Sequence, residues 1–224
     1  MVYLILLAFI FILPRVWLSS SLKRNDETLV NMPFNGLQFG ELLLKENNLE
    51  NVSITETDSV DHYDLENREV RVLEDRLNRK SITSIAVICH EIGHAIQHKE
   101  KYPPLEQRTK LVKNTAWITS IGGGVLYSGI PIILATGSFG LIKICLFIVL
   151  LSVLISALVH LITLDVEIDA SFNRALPILE EKVPFEYHNG CRSVLRAAAF
   201  TYVIGALTNF LSLRYVWTLL SRLR

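Results

Sequence analysis

"CHEIGHAIQH", residues 89–98, sets three histidines and a glutamate within ten positions. The apolar "SITSIAVI" leads into it and "KEKYPP" follows. Ser81 can cap a helix there, and Ile85, Ile88, Ile92 and Ile96 recur at helical spacing. On that helix His90 and His94 are four apart, so both imidazoles leave one face and can meet one metal ion. Glu91 stands on the adjacent flank, where its carboxylate reaches a water on the ion rather than the ion itself. Zinc makes such a water acidic, and a nearby carboxylate can take its proton as the oxygen attacks a carbonyl. So short a pattern also arises by chance. Its place on a helix with an apolar face favours the catalytic reading.

A catalytic zinc needs a third protein ligand. His98 lies two turns beyond His90, about 12 Å along the axis, too far for one straight helix to bring both to one ion. It is expected to support the site from outside or to sit at the surface. Gln97 and Glu100 occupy the positions where a metzincin would carry glycine and a third histidine, which removes that reading. The acidic cluster Asp165, Glu167 and Asp169 remains. On a helix Glu167 points away from the other two and shares its face with Ala170 and Ser171, small residues that permit close approach of the motif helix. These acids could also merely mark a helix leaving the membrane. Glu167 is the expected third ligand, completing two histidines and a carboxylate around one Zn2+ per chain.

The setting is a membrane. Of the 224 residues half are hydrophobic, and no charge falls between Thr115 and Ile142 or between Ile144 and Leu164. Each run reaches the roughly 20 apolar residues that cross a bilayer. Runs near residues 2–18 and 197–220 are borderline. The first lacks a basic start and a small-residue cleavage site, so a retained anchor is expected rather than a signal peptide. The expected organisation is an N-terminal anchor (1–18), a zincin-like segment with the histidine motif (19–114) and two transmembrane helices (115–164). A segment with the third ligand (165–196) and a C-terminal transmembrane or membrane-associated helix (197–220) follow. Lysines and arginines crowd the ends of both polar segments, which places them in the cytoplasm. The 22 basic and 22 acidic residues balance, so nothing suggests a nucleic-acid partner. Cys89, Cys145 and Cys191 lie far apart, as reduced thiols do, and form no disulfide framework.

Within residues 19–114, Leu37, Leu42 and Leu43 suggest the apolar face of a short helix, Val52–Ile54 a strand, and "REVRVLED" a half-buried strand. The fold class is thus mainly α with a small β element: a zincin-like core joined to a bundle of three or four transmembrane helices. Gly122–Gly124 and Pro131 read as a helix kink or a close helix contact.

"DHYD", "SITSIAVICHEIGHAIQH", "LDVEIDAS" and "VLRAAAFTYV" together resemble the bacterial membrane family of neutral zinc metallopeptidases of the YugP type. The resemblance covers almost the whole chain. It implies a zincin-like core with ligands His90, His94 and Glu167 and the base Glu91. The arrangement is also similar to membrane gluzincins with E-x-x-A-D, but Ser171 replaces that aspartate, so its contact to a histidine does not carry over. Leu65 departs from "DHYDP", and Cys89 replaces a smaller residue.

Other residues are weaker candidates. His62 and Tyr63 carry donors suited to a tetrahedral intermediate, or else form a turn with a packed tyrosine. The strand after them could be the edge that pairs with an extended peptide. His160 lies two turns before Glu167 at membrane depth, where it supports the site or bonds a neighbouring helix. Ser171 could support a ligand. The expected activity is peptide-bond hydrolysis, by an endopeptidase, acting at the bilayer on peptides or membrane proteins. Intramembrane cleavage is excluded, since nine residues separate Lys80 from His90 and "HKEK" follows. The alternative is a zinc-binding membrane scaffold or chaperone, although a purely structural zinc has no use for Glu91.

Overall fold

The computed structural model describes residues 12–13, 16–137 and 139–222. Most of the expected anchor at 1–18 lies outside the described residues. Its last turns begin helix α1, residues 16–24.

Helix α2, Gly36–Glu46, starts with a reciprocal cap. The Asn35 side chain accepts from Gln38 N at 2.8 Å, and the Gln38 side chain accepts from Asn35 N at 3.1 Å. Its buried face is Gly36, Phe39, Gly40 and Leu43. Of the expected face, Leu43 is in the core and Leu37 packs against its edge, whereas Leu42 is half-buried outside it. The two glycines let the helix lie close against its neighbour on the Phe39 side.

Three short strands follow: β1 (Ser53–Glu56), β2 (His62–Asp64) and β3 (Glu69–Val72). Their order is β1-β3-β2, with β1 parallel and β2 antiparallel to β3. Val70 and Val72 are buried between half-exposed Glu69 and Arg71, the alternation that "REVRV" requires. The strand expected to offer an edge to a peptide is therefore the central one. Both its edges are already hydrogen-bonded, and the open edges belong to β1 and β2.

After α3 (Glu74–Asn78) comes α4, Ile82–Lys99, the most buried helix. Ser81 caps it, accepting from Ser84 N at 3.1 Å. Ile85, Ile88 and Ile92 are fully buried. The helix packs against α2, the sheet and four later elements.

Helix α5 (Pro103–Gly124) runs through a π-helical turn, Val125–Gly129, into α6 (Ile130–Thr136). Pro131 has no N–H to give to the carbonyl one turn back, and the wider turn just before it accommodates that loss. Helix α7 (Ile142–Ile168) runs likewise through a π segment, Asp169–Ala175, into α8 (Leu176–Lys182). Helix α9 spans His188–Arg222. Side by side, α7 lies between α5 and α9. A Cβ on Gly122 would fall 2.2 Å from Ser152 Cβ, so α5 and α7 touch backbone to side chain there. The continuous stretches Pro103–Ile133 and Ile142–Lys182 are long and apolar enough to cross a membrane. Ile144, Phe147 and Leu158 lie uncovered on the second.

Candidate metal centre

Helix α4 offers His90 and His94, and the end of α7 offers Glu167. The close approach of these helices is set by Gly93, where a Cβ would stand 2.9 Å from Ala170 O. The contact lies at the start of the π segment, beside the small residues Ala170 and Ser171. One donor atom from each of His90, His94 and Glu167 lies within 4.8 Å of the others. Glu167 Oε2 is 3.2 Å from His90 Nε2 and 3.6 Å from His94 Nε2. Two donors on a tetrahedral zinc ion with bonds of about 2.05 Å stand roughly 3.3 Å apart. The spacing, the mixed nitrogen and oxygen chemistry and the burial (His90 and His94 at 9%, Glu167 at 4%) fit such an ion.

Each imidazole is held through its other nitrogen. Gln97, fully buried, donates from its amide nitrogen to Val166 O and to Asp169 Oδ2, both at 2.8 Å. Both amide hydrogens are thereby used, and the amide oxygen faces His94 Nδ1 at 3.0 Å. Nδ1 must then donate, which leaves Nε2 for the centre. His90 Nδ1 meets Ser171 Oγ at 3.1 Å. A serine hydroxyl thus stands against the histidine where the gluzincin pattern carries aspartate. Asp169 is itself fixed by Arg174, whose Nε donates to Asp169 Oδ2 at 2.6 Å and whose Nη1 donates to Glu100 at 2.7 Å.

Burial alone would lower the His94 pKa, but hydrogen bonding to Glu167 and the charges of Glu167 and Glu91 outweigh it, holding the imidazole at about 9.

A cavity of about 220 Å³ reaches His90, Glu91 and Glu167. Apolar side chains of α1 and α9, among them Leu18, Leu22, Val194 and Leu195, form much of its wall. Polar groups are Asp61, Arg76 and Tyr202. Arg76 Nη1 pairs with Asp61, which also accepts from Leu73 N at 2.9 Å. Burial lowers the Arg76 pKa, against the opposing pull of Asp26 and Glu91.

The remaining expected residues lie elsewhere. Tyr63 and His98 bond each other, hydroxyl to Nδ1 at 2.9 Å, and both line a separate cavity. Burial raises the Tyr63 pKa and lowers that of His98. His62 sits on strand β2 rather than in a turn, with Nδ1 2.7 Å from Val60 O. His160 Nδ1 is 2.8 Å from Ser156 O, and its ring packs on Gly205. Sequence reasoning passed over Gln97, Arg76 and Tyr202 as functional groups. Gln97 had a signal, since it follows His94 by one helical turn and lies within the buried stripe.

The comparisons with known proteins agree with this geometry. Residues 1–221 match the protein family described as "Putative neutral zinc metallopeptidase". The chain is also similar to the "Putative membrane protease YugP" of Bacillus subtilis (strain 168), 37% identical over 166 residues that cover 72% of this chain and 69% of that protein. No solved structure matches it. With the family match running through nearly the whole sequence and a buried pair of histidines and a glutamate suited to zinc, this chain belongs to the family described as "Putative neutral zinc metallopeptidase".

Proposed function

We propose that this protein is a membrane-anchored zinc endopeptidase in which His90, His94 and Glu167 hold one Zn2+ and Glu91 is the general base. The observation that carries the reading is the convergence of three donor atoms within 4.8 Å, from two separate helices, beside a cavity that also reaches Glu91. When bound, the ion would supply a Lewis acid that polarises the scissile carbonyl and acidifies a water. Glu91 accepts the proton of the attacking water and delivers it to the departing amine. Gln97 and Ser171 hold the two imidazoles by their Nδ1 atoms, so that both Nε2 atoms stay turned inward. The apolar flanks of α1 and α9 keep bulk water from the carboxylates. A scaffold without hydrolysis would leave Glu91 without a task.

The long apolar helices and the similarity to a protein called a membrane protease support a place in the bilayer. In this reading residues 1–18 anchor the chain, 115–164 cross as a pair, and 197–220 cross or lie on the membrane. A zincin-like core formed by 19–114 and 165–196 stands on the cytoplasmic side, where the basic flanks of these segments place it. Its substrates are membrane proteins, their tails or cytosolic peptides.

The test is zinc content by elemental analysis of detergent-purified protein, with casein hydrolysis measured on the same samples. Wild type should hold one zinc per chain. Glu91→Gln should keep the zinc and lose hydrolysis, and Glu167→Ala should lose both. Hydrolysis that persists in Glu91→Gln would overturn the proposal.

A further inference from the structure

The stretch "VLRAAAFTYV" brings Tyr202 to the wall of the cavity that holds His90, Glu91 and Glu167, and the mechanism above gives it no part. Helix α9 is pinned at this level. Val194 and Leu195 are in the core, and Phe200 meets Trp17 of α1 edge-on, ring centroids 5.0 Å apart. Tyr202 is half-buried and shares this cavity wall with His90, Glu91 and Glu167, so its phenol borders the space where the donor atoms converge.

When a water oxygen adds to a peptide carbonyl, the π pair moves onto the carbonyl oxygen. That charge is best met by a donor placed before it develops. Two side chains on the cavity wall could supply one besides the histidines. Arg76 is already engaged by Asp61. Tyr63, the donor that the sequence offered, is bonded to His98 in a different cavity. Tyr202 has the right chemistry and the right place.

We propose that the Tyr202 hydroxyl donates the hydrogen bond that stabilises the oxyanion of the tetrahedral adduct. The inference rests on the peptidase reading. In the addition step the water oxygen bonds to the carbonyl carbon, Glu91 takes the proton, and the π pair settles on the oxygen facing Tyr202. On collapse that pair re-forms the carbonyl, the C–N bond breaks, and the proton on Glu91 passes to the amine. Tyr202 keeps its own proton throughout.

The experiment compares wild type and Tyr202→Phe, both zinc-loaded in detergent, on a fluorogenic peptide built on a casein site that wild type cleaves. Two inhibitors of the same sequence are titrated by calorimetry. One is a phosphinic peptide that presents tetrahedral oxygens, and the other is a reduced-amide peptide with no oxygen at that position. Loss of one preorganised donor lowers kcat by about 10²–10³-fold. Tyr202→Phe should do so with KM and zinc content unchanged. Phosphinic affinity should fall in parallel and reduced-amide affinity should stay. Full kcat would overturn the proposal, as would loss of zinc along with activity, or equal weakening of both inhibitors. Wild type without hydrolysis would sink the peptidase reading and this role with it. An active wild type with an equally active Tyr202→Phe would sink the role of Tyr202 alone.

Discussion

Gln97 Oε1 lies 3.0 Å from His94 Nδ1, and the same amide donates to Asp169 Oδ2 at 2.8 Å, so the imidazole is oriented by an amide that a carboxylate holds in turn. Outer partners of this kind commonly govern metal affinity by about 10–100-fold. Gln97→Leu should therefore weaken zinc binding by about that factor, measured by competition with a chromophoric chelator. Wild-type affinity in that variant would mean that His94 orients without Gln97.

Gly93 sets how near α4 comes to the π segment. A Cβ there would press on the Ala170 carbonyl at 2.9 Å, a backbone atom that cannot swing aside. Gly93→Ala should cost about 1–3 kcal/mol by overpacking and should also reduce zinc affinity, because the shift separates Glu167 from the histidines. A thermal melt and a zinc titration on the same sample check both. A melt unchanged from wild type would contradict the close contact.

The His94 imidazole, held at about 9 against an ordinary 6.5, makes a signed prediction for chelator-treated protein. Its raised folded value means the protonated form stabilises the fold. That contribution is full below pH 6.5 and disappears as pH rises through about 9. Zinc competes with the same protons, so the rise in Tm on adding zinc should grow over this window. Melts with and without zinc across the range test both slopes. A zinc increment that shrinks with rising pH would show that these histidines are not the ligands.

Gly122 and Gly123 are neighbours with opposite surroundings. Gly122 abuts Ser152, whereas a Cβ on Gly123 would meet nothing within 4 Å. Gly122→Val should part α5 from α7 and lower the Tm in detergent. Gly123→Ala should be neutral, or stabilising by up to about 1 kcal/mol through helix propensity. Equal effects of the two would refute the helix contact.

Much of this protein is written in local spacing. The four-residue step from His90 to His94, the isoleucine stripe and the Ser81 cap depend only on helical periodicity, and the apolar stretches only on length and side-chain chemistry. The alternation in "REVRV" is equally local, and the structure keeps it. Strand order is not. Whether β3 stands in the middle or at the edge depends on which segments pair with it, and no residue of β3 specifies that. Glu167 could be shortlisted from its small neighbours, but its approach to the histidines rests on the fit of Gly93 against Ala170 across two helices distant in sequence. The pairing of Tyr63 with His98, the hold of Asp169 on His94 through Gln97 and the arrival of Tyr202 at the cavity have the same origin. They are contacts between helix faces and strand positions that only packing brings together, so the sequence by itself determined the strongly periodic helices, the alternating strand and the histidine motif, whereas tertiary structure decided strand β2, the order of the sheet and what stands around the motif.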